Sequence, residues 1–203
     1  KLAILASLSY GKQVNFEDIY MEGITKITDT DFKYAEVLGA EIKLLAQGKM
    51  VDGNFYAMVA PKMIKEENPL YSVRGVFNSI LVKGNTLGEV MFYGSGAGKL
   101  PTASAVVADV IEATKHQGQN IVTIWSNKKL EPANHDEMEN SFFVRVSAAD
   151  EVKAKEVFGD IAEVSANVAG EFAFVTKKMT EKAFEEKAAC MTVLNRIRTE
   201  WEA

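Results

Sequence analysis

The run Gly94-Ser95-Gly96-Ala97-Gly98-Lys99-Leu100-Pro101-Thr102-Ala103-Ser104-Ala105-Val106-Val107 feeds a glycine loop straight into an alanine-rich helix whose first turn begins at a proline. The first amides of such a helix have no partner inside it, and the peptide dipoles add to their attraction for negative charge. A phosphate, a carboxylate or the edge of a cofactor suits that position. Two common phosphate signatures are nevertheless excluded. GxGxxG fails because its sixth position is Lys99 counted from Gly94 and Pro101 counted from Gly96. The P-loop fails because Leu100 follows Gly98-Lys99 and Tyr93 stands where its first glycine belongs. Thr102 serves either a ligand or only the helix cap. The meaning of the loop therefore rests on the elements around it.

Those elements belong to a chain of 203 residues with 47% hydrophobic and 25% charged residues and a net charge of -5. That length is enough to bury a substantial core. No basic patch is present, which argues against nucleic acid as a partner. Cys190 is the single cysteine, so no intrachain disulfide forms and a reducing, cytoplasmic compartment is expected. The same residue reads as a small buried side chain on a helix, with no histidine in an obvious position to activate it. His135 reads as a solvated residue with no Cys or His at ligand spacing, so no metal site is expected. No apolar run approaches the roughly 20 residues that cross a bilayer, so no membrane partner is expected.

The chain opens with helical spacing at Lys1-Leu2-Ala3-Ile4-Leu5-Ala6-Ser7-Leu8, without an initiating Met or an N-cap, and a start inside or at the edge of a helix is expected. Asp29-Thr30-Asp31 offers caps for a helix that Gly39 stops. The period then changes to four short runs, 40–47, 54–61, 79–84 and 88–93, divided by turn signals such as Asp52-Gly53 and Asn68-Pro69. They predict a mostly antiparallel sheet with flanking helices. Exposed apolar content at Phe55, Met58, Val59, Ile80 and Val82 predicts a subunit partner, and hence a homodimer. The helix beginning at Pro101 runs to about Lys115, and the charge-rich stretch from Lys128 to Asn140 reads as linker. From Phe142 the pattern resets to strand 142–147, helix 151–161, strands 163–168 and 171–177, helix 181–191 and strand 193–201. The fold class is α+β, closing in a small ferredoxin-like βαββαβ domain. The expected division is 1–116, a linker over 117–140, and 141–203.

Lys1-Leu2-Ala3-Ile4-Leu5-Ala6, Glu22-Gly23-Ile24, Gly39-Ala40-Glu41-Ile42-Lys43-Leu44-Leu45-Ala46, Asn68-Pro69-Leu70 and Gly94 to Val107 with Asp109 together resemble homoserine dehydrogenase over about residues 1–116. The last third resembles an ACT regulatory domain. The resemblance implies an NAD(P)-dependent oxidoreductase that interconverts L-homoserine and L-aspartate 4-semialdehyde by hydride transfer, in the route to threonine, methionine and isoleucine. It implies that this chain is the downstream, catalytic and dimerising portion, with the cofactor-binding Rossmann domain upstream of residue 1. On that reading the chain alone binds no NAD(P) tightly and is inactive. Lys1 matches the family's catalytic lysine, four residues after an aspartate that would precede this sequence. Such spacing puts carboxylate and ammonium on one helical face, where one holds substrate and the other gives a proton to the carbonyl oxygen. Gly98 matches the glycine that lies against the cofactor, with Gly96 and Ala97 shaping the same loop.

The ACT-like part departs from its pattern in one respect. An Asp, a spacer residue and Pro-Gly usually open the turn after the first strand to an amino-acid effector such as threonine, and Ala148-Ala149-Asp150-Glu151-Val152 stands there instead. Feedback binding and a purely architectural role both stay open, and the alternative to the enzyme is a non-catalytic amino-acid-sensing or oligomerisation module.

Overall fold

The computed structural model describes residues 1–122 and 125–203. The chain divides into two compact units, one made of Lys1–Lys65 with Trp125–Ala203 and the other of Glu66–Ile124. This division differs from the one expected at 116 and 140. Its cause is strand pairing between the two ends of the chain, which composition along the chain does not reveal.

The first unit begins with α1 (Leu2–Tyr10), β1 (Lys12–Gln13), β2 (Tyr20–Met21) and α2 (Asp29–Val37). The α2 cap is Thr28, one residue before the expected acids, because Thr28 and Asp31 form a reciprocal capping box. A hairpin follows, β3 (Glu41–Val51) and β4 (Asn54–Ile64), paired along its whole length. The second unit holds β5 (Phe77–Gly84), β6 (Gly88–Ser95) and α3 (Lys99–Lys115). The four runs expected in one sheet are therefore two separate antiparallel hairpins, with β5 and β6 forming a sheet of their own.

Past residues 123 and 124, which fall in the expected linker and lie outside the described residues, the chain returns to the first unit. It adds β7 (Ser126–Lys129), β8 (Glu139–Ser147), α4 (Glu151–Phe158), β9 (Ile161–Val164), β10 (Glu171–Thr176), β11 (Met179–Thr180), α5 (Glu181–Ala188) and β12 (Val193–Thr199). The stretch expected as linker thus carries a strand parallel to β1, and Met138 near its end is buried. Backbone pairing and one apolar anchor outweigh its charged composition.

The main sheet has eight strands in the order β2-β4-β12-β8-β10-β9, with β3 also on β4 and β11 on β8. Within it, β12-β8-β10-β9 is antiparallel, and α4 and α5 make the crossovers of a ferredoxin-like βαββαβ unit. That unit is not closed at β12. Arg198 and Thr199 pair in parallel with Lys62 and Met63 of β4, while Met58 and Val59 on β4 take β2. One face buries Phe142, Val144, Val146 and Phe174 under Ala154 and Phe158 of α4 and Phe184 of α5. The other buries Phe143, Ala173, Val175 and Ile197 under Tyr34 and Ala35 of α2. With both faces covered, the strands read as nearly continuous apolar runs.

The same packing corrects the exposed apolar list. Phe55 and Met58 are buried at 2% and 1% exposure. Phe55 lies under Ala3 and Ala6 of α1, and β4 has neighbours along both edges. Ile80 and Val82 on β5 remain exposed, as do Val106, Val107, Val110 and Ile111 on α3. Cys190 is exposed just past α5, against the expectation of a buried helical residue. The shorter helix leaves it in the turn, where its Sγ donates to Lys187 O.

Candidate functional site

The glycine loop opens the helix as its composition requires, though two residues before Pro101. Gly98 is the N-cap of α3 with φ 110°, a backbone geometry that side-chain-bearing residues rarely adopt. Thr102 is therefore not the cap, and its N–H makes an early helical bond to Gly98 O at 3.2 Å. The N–H groups of Lys99 and Leu100 precede that bond and point out of the helix start. Gly96 donates its N–H to Val76 O at 3.2 Å, and a Cβ there would collide with the Asn78 side-chain amide. Gly96, Ala97 and Gly98 are all solvent-exposed. The loop thus presents bare backbone and the first amides of α3 to the solvent.

Lys1 belongs to the other unit. It is exposed directly before α1, and its carbonyl oxygen accepts the Leu5 N–H at 3.1 Å. The helix therefore starts at the lysine, with Leu2 packed toward Phe55 and Gly48 of the β3–β4 hairpin.

Sequence reasoning missed a buried charge network in the first unit. Arg198, on β12, has a side chain only 1% exposed and forks onto Glu181 at 2.6 and 2.8 Å while giving its third bond to Glu22 at 2.7 Å. Asn140 donates to the same Glu181 at 2.7 Å, and Arg196 reaches Glu22 at 3.1 Å. A second node stands on β8. Arg145 forks onto Glu171 at 2.8 and 2.7 Å and bonds the fully buried Asp31 at 2.6 Å, which also accepts from Asn195. Both guanidinium pKa values are raised: burial alone would lower them, but the Glu171 and Asp31 carboxylates outweigh it for Arg145, and those of Glu181 and Glu22 for Arg198. Each node joins the first forty residues to the last sixty-five. The available signal was an arginine inside an apolar strand, at 145 and 198, where burial demands a partner.

Burial by itself pushes the Glu22 carboxyl up, but the Arg198 hydrogen bond and the charges of Arg196 and Arg198 hold it below its ordinary 4.5. A carboxyl lowered in the fold stabilises it above the unfolded value and loses that contribution as pH falls through the folded one. Acid unfolding followed by circular dichroism is expected to steepen below about pH 4.5 and to be shallower in Glu22→Gln. An identical acid limb in both proteins would remove Glu22 from this account.

Sheets with flanking helices make this a mixed α/β fold. The homoserine dehydrogenase family model matches residues 1–111. A homoserine dehydrogenase of Neisseria gonorrhoeae is 32% identical over 98% of this chain and 46% of its own length. One of Synechocystis is 47% identical over 66% of this chain and 30% of its own. The crystal structure of a homoserine dehydrogenase from Thiobacillus denitrificans aligns at a TM-score of 0.78 and 27% identity, covering 98% of this chain and 52% of that one. The chain belongs to the homoserine dehydrogenase family, and it spans about half the length or less of the relatives it matches.

Proposed function

We propose that this chain supplies the catalytic and dimerising part of an NAD(P)-dependent homoserine dehydrogenase that interconverts L-homoserine and L-aspartate 4-semialdehyde in the cytoplasm. The observation that carries the reading is the exposed Gly96-Ala97-Gly98 turn with its positive φ at the head of α3, inside the matched residues. When bound, the nicotinamide provides the hydride donor or acceptor. Gly96, Ala97 and Gly98 line its approach and keep side chains out of the way. Lys1 holds or releases the proton at the substrate's terminal oxygen, giving it to the aldehyde oxygen as homoserine forms and taking it back in reverse. The exposed residues Ile80 and Val82 and the apolar stripe of α3 supply surface for the rest of the assembly, the first of them for a second subunit.

The ACT-like βαββαβ unit acts in assembly on this reading. Two amides of its first turn are taken within the chain, Ala148 N–H donating to Gly170 O at 3.0 Å and Ala149 N–H to Ser147 Oγ at 3.4 Å, and the Asp150 carboxylate beside them accepts from Thr192 N–H at 2.8 Å. The Asp150 carboxylate also puts a negative charge where a threonine carboxylate would enter. The test joins this chain to a dinucleotide-binding segment and follows homoserine-dependent reduction of NAD or NADP. Activity is expected, insensitive to threonine, and Gly98→Val should raise KM for the nucleotide about tenfold or more while leaving KM for homoserine near the parent value. A joined protein that folds but turns over no homoserine overturns the proposal, and threonine inhibition overturns the assembly role.

A further inference from the structure

The β3–β4 hairpin carries a lysine that the rest of the fold does not use. Gln47 and Lys49 stand two residues apart on β3 and so share one face of the sheet, with Lys49 directly opposite Tyr56 of β4. Lys62 of β4 reaches Gln47 on that face, giving it one hydrogen bond at 2.8 Å and Glu200 another at 2.7 Å. Lys178, close enough for its charge to act on Lys49, pairs with Glu139 at 3.2 Å. Two ammonium groups and two carboxylates thus cancel within this cluster. Lys49 is the third cation, partly buried and, among the described residues, in no hydrogen bond or ion pair.

Burial pushes the Lys49 ammonium below the ordinary 10.5, and the charges of Lys62 and Lys178 add to that, while Glu200 and Glu139 act in the opposite sense. Each of those two carboxylates is already engaged by its own lysine. An amine held this way gives up its proton more readily than a solvated lysine, and the neutral form is the nucleophile. Losing the charge also leaves the cluster balanced, since the four charges around it are paired.

We propose that Lys49 is an acyl-acceptor site, its amine taking an acetyl group from a small acyl phosphate. The amine lone pair attacks the carbonyl carbon and a C–N bond forms. The C–O bond to phosphate breaks with its electron pair leaving on phosphate, and the amine proton passes to solvent. The product is a neutral amide, which removes the unpaired charge from the hairpin. The inference stands apart from the dehydrogenase reading, because no residue in it belongs to the glycine loop or is Lys1.

The test incubates the chain with acetyl phosphate at slightly alkaline pH and follows each lysine by peptide mass spectrometry. Lys49 is expected to react about fivefold faster than Lys182, although the Lys182 side chain is 70% exposed, and the preference should vanish in urea. Lys178 and Glu139 are half exposed, so either can be changed without unfolding the chain. Lys178→Gln removes a cation and frees Glu139, and should slow acetylation of Lys49 about threefold. Glu139→Gln leaves Lys178 uncompensated and should speed it by a similar factor. A lysine that reacts only because it is accessible would respond to neither. Equal rates at Lys49 and Lys182, a preference that persists in urea, or variants that fail to move the rate in opposite directions would each overturn the proposal.

Discussion

Arg198→Ala is expected to destabilise the first unit by about 3–5 kcal/mol, the range found when one partner of a buried ion pair is removed. The loss comes less from the missing attraction than from what stays behind. Glu181, 3% exposed at its side chain, would be left with Asn140 as its remaining donor, and Glu22 would lose its shortest bond. For a chain of this size the midpoint of thermal unfolding should drop by about 6–20 °C. Replacing Arg198 and Glu181 together with Met and Leu should recover much of it, because an apolar pair of similar volume carries no buried charge. Urea unfolding of the three proteins measures this directly. A single variant as stable as the parent would show that water reaches Glu181 despite its burial. The prediction also has a consequence for the whole unit. Since Arg196, Arg198 and Arg145 clasp Glu22 and Asp31, loosening β12 should expose amides of β2 and the start of α2 to hydrogen exchange.

If Lys1 carries the proton as proposed, Lys1→Met should lower kcat for homoserine oxidation by about 10²- to 10⁴-fold in the active assembly, the usual worth of a positioned proton-transfer group. Stability should not change, because Lys1 is exposed and contributes only its carbonyl to the start of α1. Lys1→Arg is the sharper variant. It keeps the positive charge and the helix start but cannot shed its proton near neutrality, so kcat should fall nearly as far. Steady-state rates in both directions of the reaction measure it. If Lys1→Arg retained most of the activity, Lys1 would be an electrostatic anchor and the proton would move through another group.

Much of the element list was legible because its signals are local. The Asp52-Gly53 turn divides two β-rich runs, and β3 and β4 form around it. The alternating charges from Glu151 and Glu181 mark α4 and α5, and the glycine loop marks the start of α3. Boundaries slipped where the deciding contact was not local. The first strand of the last third begins at Glu139 instead of Phe142, since Met179 and Thr180 pair with Asn140 and Glu139. Phe55 and Met58 looked like interface residues because nothing in their own neighbourhood showed that β4 is an inner strand.

What the sequence determined by itself is chemical inventory and local geometry: a glycine at 98 where φ is positive, a proline and alanines that continue as helix, a lysine heading α1, and strands whose residues suit burial on both faces. Tertiary structure alone decided that β12 runs parallel to β4 and so welds the last strand to the first hairpin, and that Arg145 and Arg198 reach carboxylates more than a hundred residues away. Periodicity reports which face of an element is apolar, whereas the partner of a buried charge depends on chain segments meeting in space. No spacing along the chain encodes that meeting.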